Sequence, residues 1–220
     1  MDKIISYDQA IDKIKDGMTI MIGGFLGTGN PHGLIDALVK KGVKNLTLIA
    51  NDTAFPEIGI GKLIVNKQVK KVIASHIGTN KETGRQMSEG ETEVVLVPQG
   101  TLAEQVRAGG AGLGGFLTPT GIGTIVEEGK QKITINDKEY LLELPLKADV
   151  ALVGGSIVDK KGNIFYSKTT QNFNPLIAMA AETVIVEAEK IVEIGEIDPH
   201  LVMTPGEVVD HIVEGVNNEQ

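Results

Sequence analysis

The feature that most constrains the fold of this chain is the alternation of short, continuously apolar segments with segments of helical periodicity. Short apolar runs without polar alternation are typical of strands that are buried on both faces. The predicted strands read MTIMIGG, NLTLIA (residues 45–50), KVIASHI, EVVLVP, ADVALVGGS and ETVIVEAE. Because such strands, joined by helices, form parallel sheets, we predict an α/β fold: an open, mostly parallel sheet with helices on both faces.

Local capping signals predict where the helices between these strands begin. Ser6 and Gln9 form a capping box for the first helix, which ends at Asp16-Gly17. Asn30 and Pro31 are the predicted N-cap and first residue of the second helix. The apolar face of that helix consists of Leu34, Ile35, Leu38 and Val39. Further helix starts are predicted at Thr79 with Glu82, Thr101 with Glu104, Asn174-Pro175 and, for a last helix, Thr204-Pro205-Gly206-Glu207.

One segment departs from the strand–helix alternation. Residues 131–143, QKITINDKEYLLE, alternate between apolar and polar side chains around Asn136-Asp137. Alternation on both sides of such a turn pair predicts a small β-hairpin insertion. The sequence contains no linker, tandem repeat or block of like charge, so we predict that residues 1–220 form a single domain.

Composition excludes several functional classes. The net charge of −8 argues against nonspecific binding of nucleic acid, which needs a basic surface. The chain has no cysteine, which excludes disulfides, thiolate metal sites and a cysteine nucleophile. The beginning of the sequence has no apolar signal region, and no apolar run approaches the length of about 18 residues that a membrane span needs. We therefore expect a cytoplasmic protein without membrane partners, and the spacing of its histidines and carboxylates predicts no metal site.

The segment IMIGGFLGTGNPHG, residues 20–33, is the strongest candidate for a binding site. It does not fit a dinucleotide-binding turn, because His32 stands where G-x-G-x-x-G needs its third glycine. It does not fit a P-loop either, because Asn30-Pro31 replaces the required Lys-Ser/Thr pair. A strand, a turn and a helix N-terminus with free N–H groups remain, and they could hold a phosphate, a carboxylate or an amide-rich chain. The alternative is a tight turn that needs glycine only for its positive φ angles.

The wider segment DGMTIMIGGFLGTGNP resembles the first signature of the family I coenzyme A transferases. The matching residues are Asp16, Gly17, Ile20, Met21, Ile22, Gly23, Gly24, Phe25, Gly29 and Pro31. Four more segments agree with this family: PQGTLAEQVRAGGAGLGGFLTPTGIGT (residues 98–124), NDTAFPEIGIGKL, IASHIGTN and NFNP. The resemblance covers nearly the whole chain and is strongest to the A (alpha) subunits of bacterial enzymes that act on acetate, butyrate and acetoacetate.

The resemblance implies a ping-pong transfer of CoA between an acyl-CoA and a short-chain acid through a glutamyl-CoA thioester. In this family the glutamate lies in a Ser-Glu-Asn-Gly motif of the B (beta) subunit, and this chain lacks that motif. Its nearest equivalent, Ser88-Glu89-Gly90, has no asparagine, and we expect Glu89 to be a solvated surface charge. The resemblance therefore implies a beta-subunit partner in an α2β2 heterotetramer. It also implies CoA as a substrate, with no tightly bound cofactor.

The position of Gln99 and the same resemblance indicate the site residues. Gln99 comes directly after a predicted strand, where α/β sheets place ligands, and its amide could stabilise an oxyanion. It aligns with the family's oxyanion-hole glutamine; the alternative is a polar residue before a helix cap. The predicted CoA-binding turn comprises Gly23, Gly24, Phe25, Leu26, Gly27, Thr28, Gly29 and Asn30. The predicted substrate or partner loop, within a second glycine cluster at 109–123 that could instead be a mobile loop, comprises Gly112, Gly114, Gly115 and Phe116.

Three further residues are weaker site candidates, and two other functions compete with CoA transfer. His76 could orient a ligand but is more often a satisfied buried histidine, Arg107 fits a salt bridge, and Lys62 could meet a CoA phosphate. A sugar-phosphate isomerase of the same fold would suit a phosphate at the glycine turn, but it needs an acid/base carboxylate pair. A regulatory module would bind CoA or acyl-CoA as a lone chain.

Overall fold

A central sheet with the first strand of the chain in its middle organises the molecule. The computed structural model describes residues 3–215. Its strands are β1 (Thr19–Ile22), β2 (Leu46–Ile49), β3 (Val69–Ala74), β4 (Glu93–Leu96), β5 (Phe116–Thr118), β6 (Lys132–Ile135), β7 (Lys138–Glu143), β8 (Ala148–Asp159), β9 (Ile164–Phe165), β10 (Ala181–Val192) and β11 (His211–Glu214). The sheet order is β11-β10-β8-β1-β2-β3-β4, and these seven strands are parallel, while β9 pairs antiparallel with β8.

Helices cover both faces of this sheet, as predicted. They are α1 (Tyr7–Ile11), α2 (His32–Lys41), α3 (Gly61–Val65), α4 (Lys81–Ser88), α5 (Gln99–Ala111) and α6 (Asn174–Ile177). Ile20 and Ile22 of β1 face a core that includes buried residues of α1, α2 and α3, whereas Met21 faces a second core with residues of α5 and α6. Successive side chains of a strand point to opposite faces, so a continuously apolar strand serves both cores.

The path of the chain creates a crevice beside β1. From β1 the chain proceeds outward through β2, β3 and β4, and it later returns to the other side of β1 as β8. Open α/β sheets bind ligands beyond the carboxyl ends of their strands at such a switch in direction. β1 pairs with β8 only as far as Ile22 with Leu152, whereas β8 continues to Asp159. The segment after β1 therefore lies against the middle of β8.

Two predicted helix starts are displaced because their polar side chains bond to other parts of the chain. α2 begins one residue later than predicted, and the Asn30 carboxamide donates to the Gly23 carbonyl instead of capping the helix. At α4 the N-cap is Asn80 rather than Thr79, whose hydroxyl donates to the Ala54 carbonyl. In both cases a tertiary hydrogen bond outcompetes the local cap.

The predicted caps of α5 and α6 are also wrong. α5 begins at Gln99, directly after Pro98, so Thr101 lies inside the first turn. Asn174 is the first residue of α6 rather than its cap, and Phe173 occupies the N-cap position. The Asn174 carboxamide accepts from the Gly154 N–H of β8 and donates to the Gly29 and Thr170 carbonyls, which is incompatible with a capping role.

The two ends of the described chain differ from prediction in different ways. The capping box that begins at Ser6 is confirmed, but α1 ends at Ile11 rather than at Asp16-Gly17. The predicted last helix is wrong, because a short 3₁₀ turn at 206–208 leads into β11. β11 pairs with β10 over four residues, so the unpaired edge of β10 draws this segment into the sheet.

The predicted hairpin is confirmed and belongs to a larger unit. β6 and β7 pair antiparallel around Asn136 and Asp137, whose φ angles of 48° and 59° are those of a tight hairpin turn. β5, which lies within the second glycine cluster, adds a third strand to this separate sheet. No helix within residues 3–215 is both long and apolar enough to cross a membrane.

Candidate functional site

The segment after β1 folds back on itself as a tight turn. Phe25 and Thr28 exchange two backbone hydrogen bonds of 2.9 Å. Leu26 and Gly27, with φ angles of 51° and 93°, form the tip. Positive φ at both central residues is the pattern of a two-residue hairpin turn. We call residues 23–30 the glycine turn.

The glycines of this turn are required by close neighbours as well as by their φ angles. At Gly24, with φ +123°, a Cβ atom would overlap with the Asn30 carboxamide. At Gly29, with φ +77°, it would lie 2.7 Å from the Thr170 carbonyl oxygen. At Gly23 it would overlap with the Asn174 side chain. Gly24, Gly27 and Gly29 have the positive φ angles that the alternative explanation requires, but close neighbours also exclude a side chain at Gly24 and Gly29, so conformation is not the only reason for glycine there.

Side chains from distant segments hold the glycine turn in place. Asn172 accepts from the Gly24 N–H at 3.0 Å and donates to the Thr28 carbonyl at 3.0 Å. The buried Asp52 carboxylate, just after β2, accepts from the Leu26 N–H at 3.1 Å. A further bond joins the Asn174 amide to the Gly29 carbonyl at 3.0 Å. Asn172 and Asp52 were not among the predicted site residues, although both lie in segments that match the family, NFNP and NDTAFPEIGIGKL.

The start of α2 is occupied by a carboxylate of the protein itself. Glu187 of β10 accepts from the Gly33 N–H at 3.0 Å and from the Leu34 N–H at 2.6 Å. Burial raises the pKa of the Glu187 carboxyl, and the two N–H donors lower it by less. The expectation of free N–H groups at this helix start is therefore wrong for Gly33 and Leu34, which weakens the case for a phosphate there.

Three other backbone donors remain beside the turn. Within residues 3–215, the N–H groups of Gly27, Gly29 and His32 donate to no protein acceptor. All three residues line a cleft of about 370 Å³ where β1 ends and β8 continues. The cleft is lined by Leu26, Gly27, Thr28, Gly29, Asn30, Pro31, His32, Ile58, Gly154, Gly155, Thr170, Glu187 and Glu189. It offers unpaired backbone donors to a ligand at the switch point of the sheet.

Gln99 is connected to the glycine turn through one buried asparagine. The exposed Gln99 side chain donates from Nε2 to Asn51 Oδ1 at 2.5 Å, and Ser75 Oγ donates to its Oε1. Asn51 Nδ2 in turn donates to the Gly24 carbonyl at 3.2 Å. The structure therefore brings together the two sites that the sequence analysis predicted separately. The second N–H of the Gln99 carboxamide has no acceptor among the described residues.

The second glycine cluster does not join this site within the chain. Gly112 ends α5 in a left-handed conformation, with φ +70°. Gly115, with φ +153°, fits closely against the Glu143 carbonyl, and Phe116 pairs with Glu143. The 13 residues of α5 separate Gln99 from this loop by about 20 Å. The predicted role of Gly112, Gly114, Gly115 and Phe116 toward substrate or partner stays a prediction.

The weaker candidates lie on the surface. Glu89 forms an ion pair with Arg85, as expected for a solvated charge, and Arg107 pairs with Glu104 at 3.1 Å. Lys62 pairs with Asp36 at 2.6 Å. His76 is exposed, so it is not the buried histidine that its position favoured. Residues 3–215 include no group of three or more histidines and carboxylates placed to hold a metal ion.

Solved structures resemble this architecture closely. An acyl-CoA transferase from Escherichia coli O157:H7 superposes with a TM-score of 0.85 at 23% identity, covering 97% of this chain and 47% of that chain. Glutaconate coenzyme A-transferase from Acidaminococcus fermentans gives a TM-score of 0.83 at 20% identity, covering 96% of this chain and 75% of that one. The present chain thus spans about half the length of the first structure. At these identities the likeness establishes the fold.

Sequence comparison extends the likeness beyond the fold. The acetate CoA-transferase subunit alpha of Escherichia coli K12 is 59% identical over 211 residues, covering 96% of both chains. The acetoacetyl-CoA:acetate/butyrate CoA transferase alpha subunit of Clostridium acetobutylicum is 60% identical over 212 residues, covering 96% of this chain and 97% of that one. The family described as coenzyme A transferase matches residues 4–215. The resemblance inferred from the sequence motifs is confirmed, and the chain belongs to the coenzyme A transferase family of enzymes.

Proposed function

We propose that this chain is the alpha subunit of a CoA-transferase that moves CoA between an acyl-CoA, such as acetyl-CoA or butyryl-CoA, and a short-chain 3-oxo acid such as acetoacetate. The observation that carries this proposal is the 59–60% identity, over 96% of the chain, to two alpha subunits whose names specify acetate, butyrate or acetoacetyl-CoA. Such identity over the full length supports a shared reaction as well as a shared fold.

The reaction requires a nucleophile that this chain does not supply. A glutamate of the proposed beta subunit attacks the acyl carbonyl, the C–S bond breaks, and CoA leaves as a thiolate. The thiolate then attacks the glutamyl carbonyl of the mixed anhydride, which releases the first acid as its carboxylate and leaves a glutamyl-CoA thioester. The acceptor carboxylate reverses these steps and leaves as the new acyl-CoA. The closest motif in this chain, around Glu89, carries a surface carboxylate paired with Arg85.

Gln99 is the proposed oxyanion-hole residue of this chain. Its carboxamide is oriented by Asn51 and Ser75, and one N–H is left to donate to the oxyanion that develops in each attack. A donor held by neighbouring groups needs no reorganisation when charge develops, which is the source of its catalytic effect. This role is supported by the contact of Asn51 with the Gly24 carbonyl, which places Gln99 next to the glycine turn.

The glycine turn and its cleft are the proposed contribution of this chain to CoA binding. The free N–H groups of Gly27 and Gly29 can donate to carbonyl oxygens of the CoA ester, and no metal or resident cofactor takes part in the proposed reaction. We further propose an α2β2 assembly and a cytoplasmic location.

Purification of the tagged chain from its native host tests this proposal. The intact native mass is measured first, and acetoacetate-dependent loss of acetyl-CoA is then assayed on the same sample. We expect a second chain of similar size to copurify, and activity only when both chains are present. A lone chain that transfers CoA by itself would contradict the division of roles, and a lone inactive chain that binds CoA would favour a regulatory module.

A further inference from the structure

The helix that follows the glycine turn has no cap from its own segment. The N-cap position of α2 is Pro31, whose side chain offers no acceptor. The acceptors come instead from Glu187, which lies 154 residues further along the chain than Gly33. Its two carboxylate oxygens each take one N–H of the first turn, from Gly33 and from Leu34. A single side chain thus fixes two consecutive peptide groups directly after the turn.

The sheet is built so that this side chain can reach across it. β8 lies between β10 and β1, and the residue of β8 opposite Glu187 is Gly154. A Cβ atom on Gly154 would lie 2.5 Å from the Gly29 carbonyl oxygen. Because position 154 has no side chain, the glycine turn rests directly on β8 and brings the start of α2 next to β10. Glu187 and the glycine turn consequently line the same cleft.

A carboxylate is an expensive way to cap a helix in this position. Burial raises the pKa of Glu187, and the nearby Asp36 and Glu189 carboxylates raise it further. A local serine, asparagine or aspartate at the N-cap would satisfy the same donors without this desolvation. Proteins depart from such local rules mainly at functional sites, so a charged cap from a distant strand indicates that the position of this helix start is important for function.

We propose that Glu187 is a positioning residue for the glycine turn. It holds the turn in the position relative to β8 in which the free N–H groups of Gly27 and Gly29 can donate to the CoA ester. This inference rests on the proposed function of the turn. Glu187 itself touches neither the reacting carbonyl nor the nucleophile. Its loss therefore weakens the productive binding of the CoA ester and leaves the chemistry of a bound ester intact.

Ping-pong kinetics of the complex with the beta subunit distinguish a positioning residue from a purely structural cap. A structural cap would affect both half-reactions equally. Glu187→Ala removes both acceptors and Glu187→Gln keeps one, in a side chain of the same shape. We expect kcat/KM for acetyl-CoA to fall about tenfold in the first variant and about threefold in the second. We expect kcat/KM for acetoacetate to stay within twofold of the wild-type value, because CoA is already attached to the enzyme in that half-reaction.

Glu182→Gln is the matched control, since Glu182 is an exposed glutamate near the start of β10. It should leave both kinetic constants unchanged. Equal losses in the two half-reactions of the Glu187 variants would indicate a structural cap and overturn the proposal. An unchanged kcat/KM for acetyl-CoA in Glu187→Ala would overturn it as well.

Hydrogen exchange separates this inference from the proposed function. In the same complexes, the amides of residues 23–34 should exchange several-fold faster in Glu187→Gln than in the wild type or in Glu182→Gln. If the wild-type complex transfers no CoA, the proposed function fails, and the exchange result still decides whether Glu187 positions the turn. Identical exchange in all three proteins would refute the positioning role.

Discussion

The two glycine-rich segments of this protein have similar compositions and different physical roles. In the glycine turn, Gly23 and Gly24 make room for polar side chains, the Asn174 and Asn30 carboxamides, whereas Gly29 lies close to the Thr170 carbonyl. In the second cluster, Gly109 and Gly115 make room for backbone. A Cβ atom on Gly109 would overlap with the Leu146 carbonyl, and one on Gly115 would lie 2.7 Å from the Glu143 carbonyl oxygen.

This difference shows what each segment contributes. Polar side chains that converge on the glycine turn fix the direction of its N–H and carbonyl groups, so a substitution there disturbs a binding surface. In the second cluster the same residue type lets α5 pack against the segment between β7 and β8, so a substitution there disturbs packing. The comparison predicts activity losses at the first segment and stability losses at the second.

The largest loss of activity should come from substitution of Gln99, whose carboxamide is held by the polar side chains next to the glycine turn. Gln99→Ala removes the proposed oxyanion donor and should lower kcat of the complex by about a hundredfold or more, with an unchanged thermal midpoint. Gln131→Ala is the control, because Gln131 is an exposed glutamine directly before β6. A wild-type kcat in Gln99→Ala would remove this residue from the mechanism and leave the turn without a catalytic neighbour.

The next effect tests the glycine turn itself. Gly24→Ala places a methyl group against the Asn30 carboxamide, and we expect kcat/KM for the CoA ester to fall by about tenfold as the turn shifts. Gly90→Ala is the matched control, because Gly90 also has a positive φ, +71°, but has open space around it. Gly90→Ala carries the cost of a left-handed alanine, about 1 kcal/mol, and Gly24→Ala, at φ +123°, carries at least that cost. If Gly90→Ala lost as much activity, the loss would reflect stability alone.

In the second cluster the expected loss is one of stability. Gly109→Ala forces α5 away from the Leu146 carbonyl and should lower the free energy of unfolding by about 1–3 kcal/mol. Gly84→Ala in α4, where no atom lies within 4 Å, should instead raise it by about 0.5–1 kcal/mol. Denaturant titrations measure both. Should Gly109→Ala reduce kcat without any change in stability, the division between the two segments would break down.

The smallest effect is a pH dependence at the turn. The pKa of Glu187 is raised in the folded protein, so its contribution to stability is complete below the unfolded pKa, about 4.3, and is lost as the pH rises through the folded pKa. Glu187→Gln abolishes this titration. The thermal midpoint of the wild type relative to that variant should therefore fall as the pH rises above about 4.3. A constant difference across this range would mean that Glu187 titrates as an ordinary exposed glutamate.

Sequence patterns were most reliable where the signal is local or where burial leaves no alternative. Six strands of the central sheet, β1, β2, β3, β4, β8 and β10, were predicted because a strand between two layers of helices must be apolar along its whole length. The hairpin was predicted because alternation and the Asn136-Asp137 turn act within one segment, and the capping box at Ser6 held for the same reason. The prediction that residues 1–220 form a single domain stays a prediction.

Tertiary structure decided which hydrogen-bond partner each polar side chain has and which segment pairs with an open strand edge. Asn30 and Asn174 look like helix caps in the sequence, but their side chains bond to other backbone groups: Asn30 to Gly23 within the same turn, and Asn174 to Gly29, 145 residues away. The segment after Gly206 became a strand because the edge of β10 was open to it. The connection from Gln99 through Asn51 to the glycine turn joins residues far apart in the chain, and only folding brings their hydrogen-bonding groups within reach.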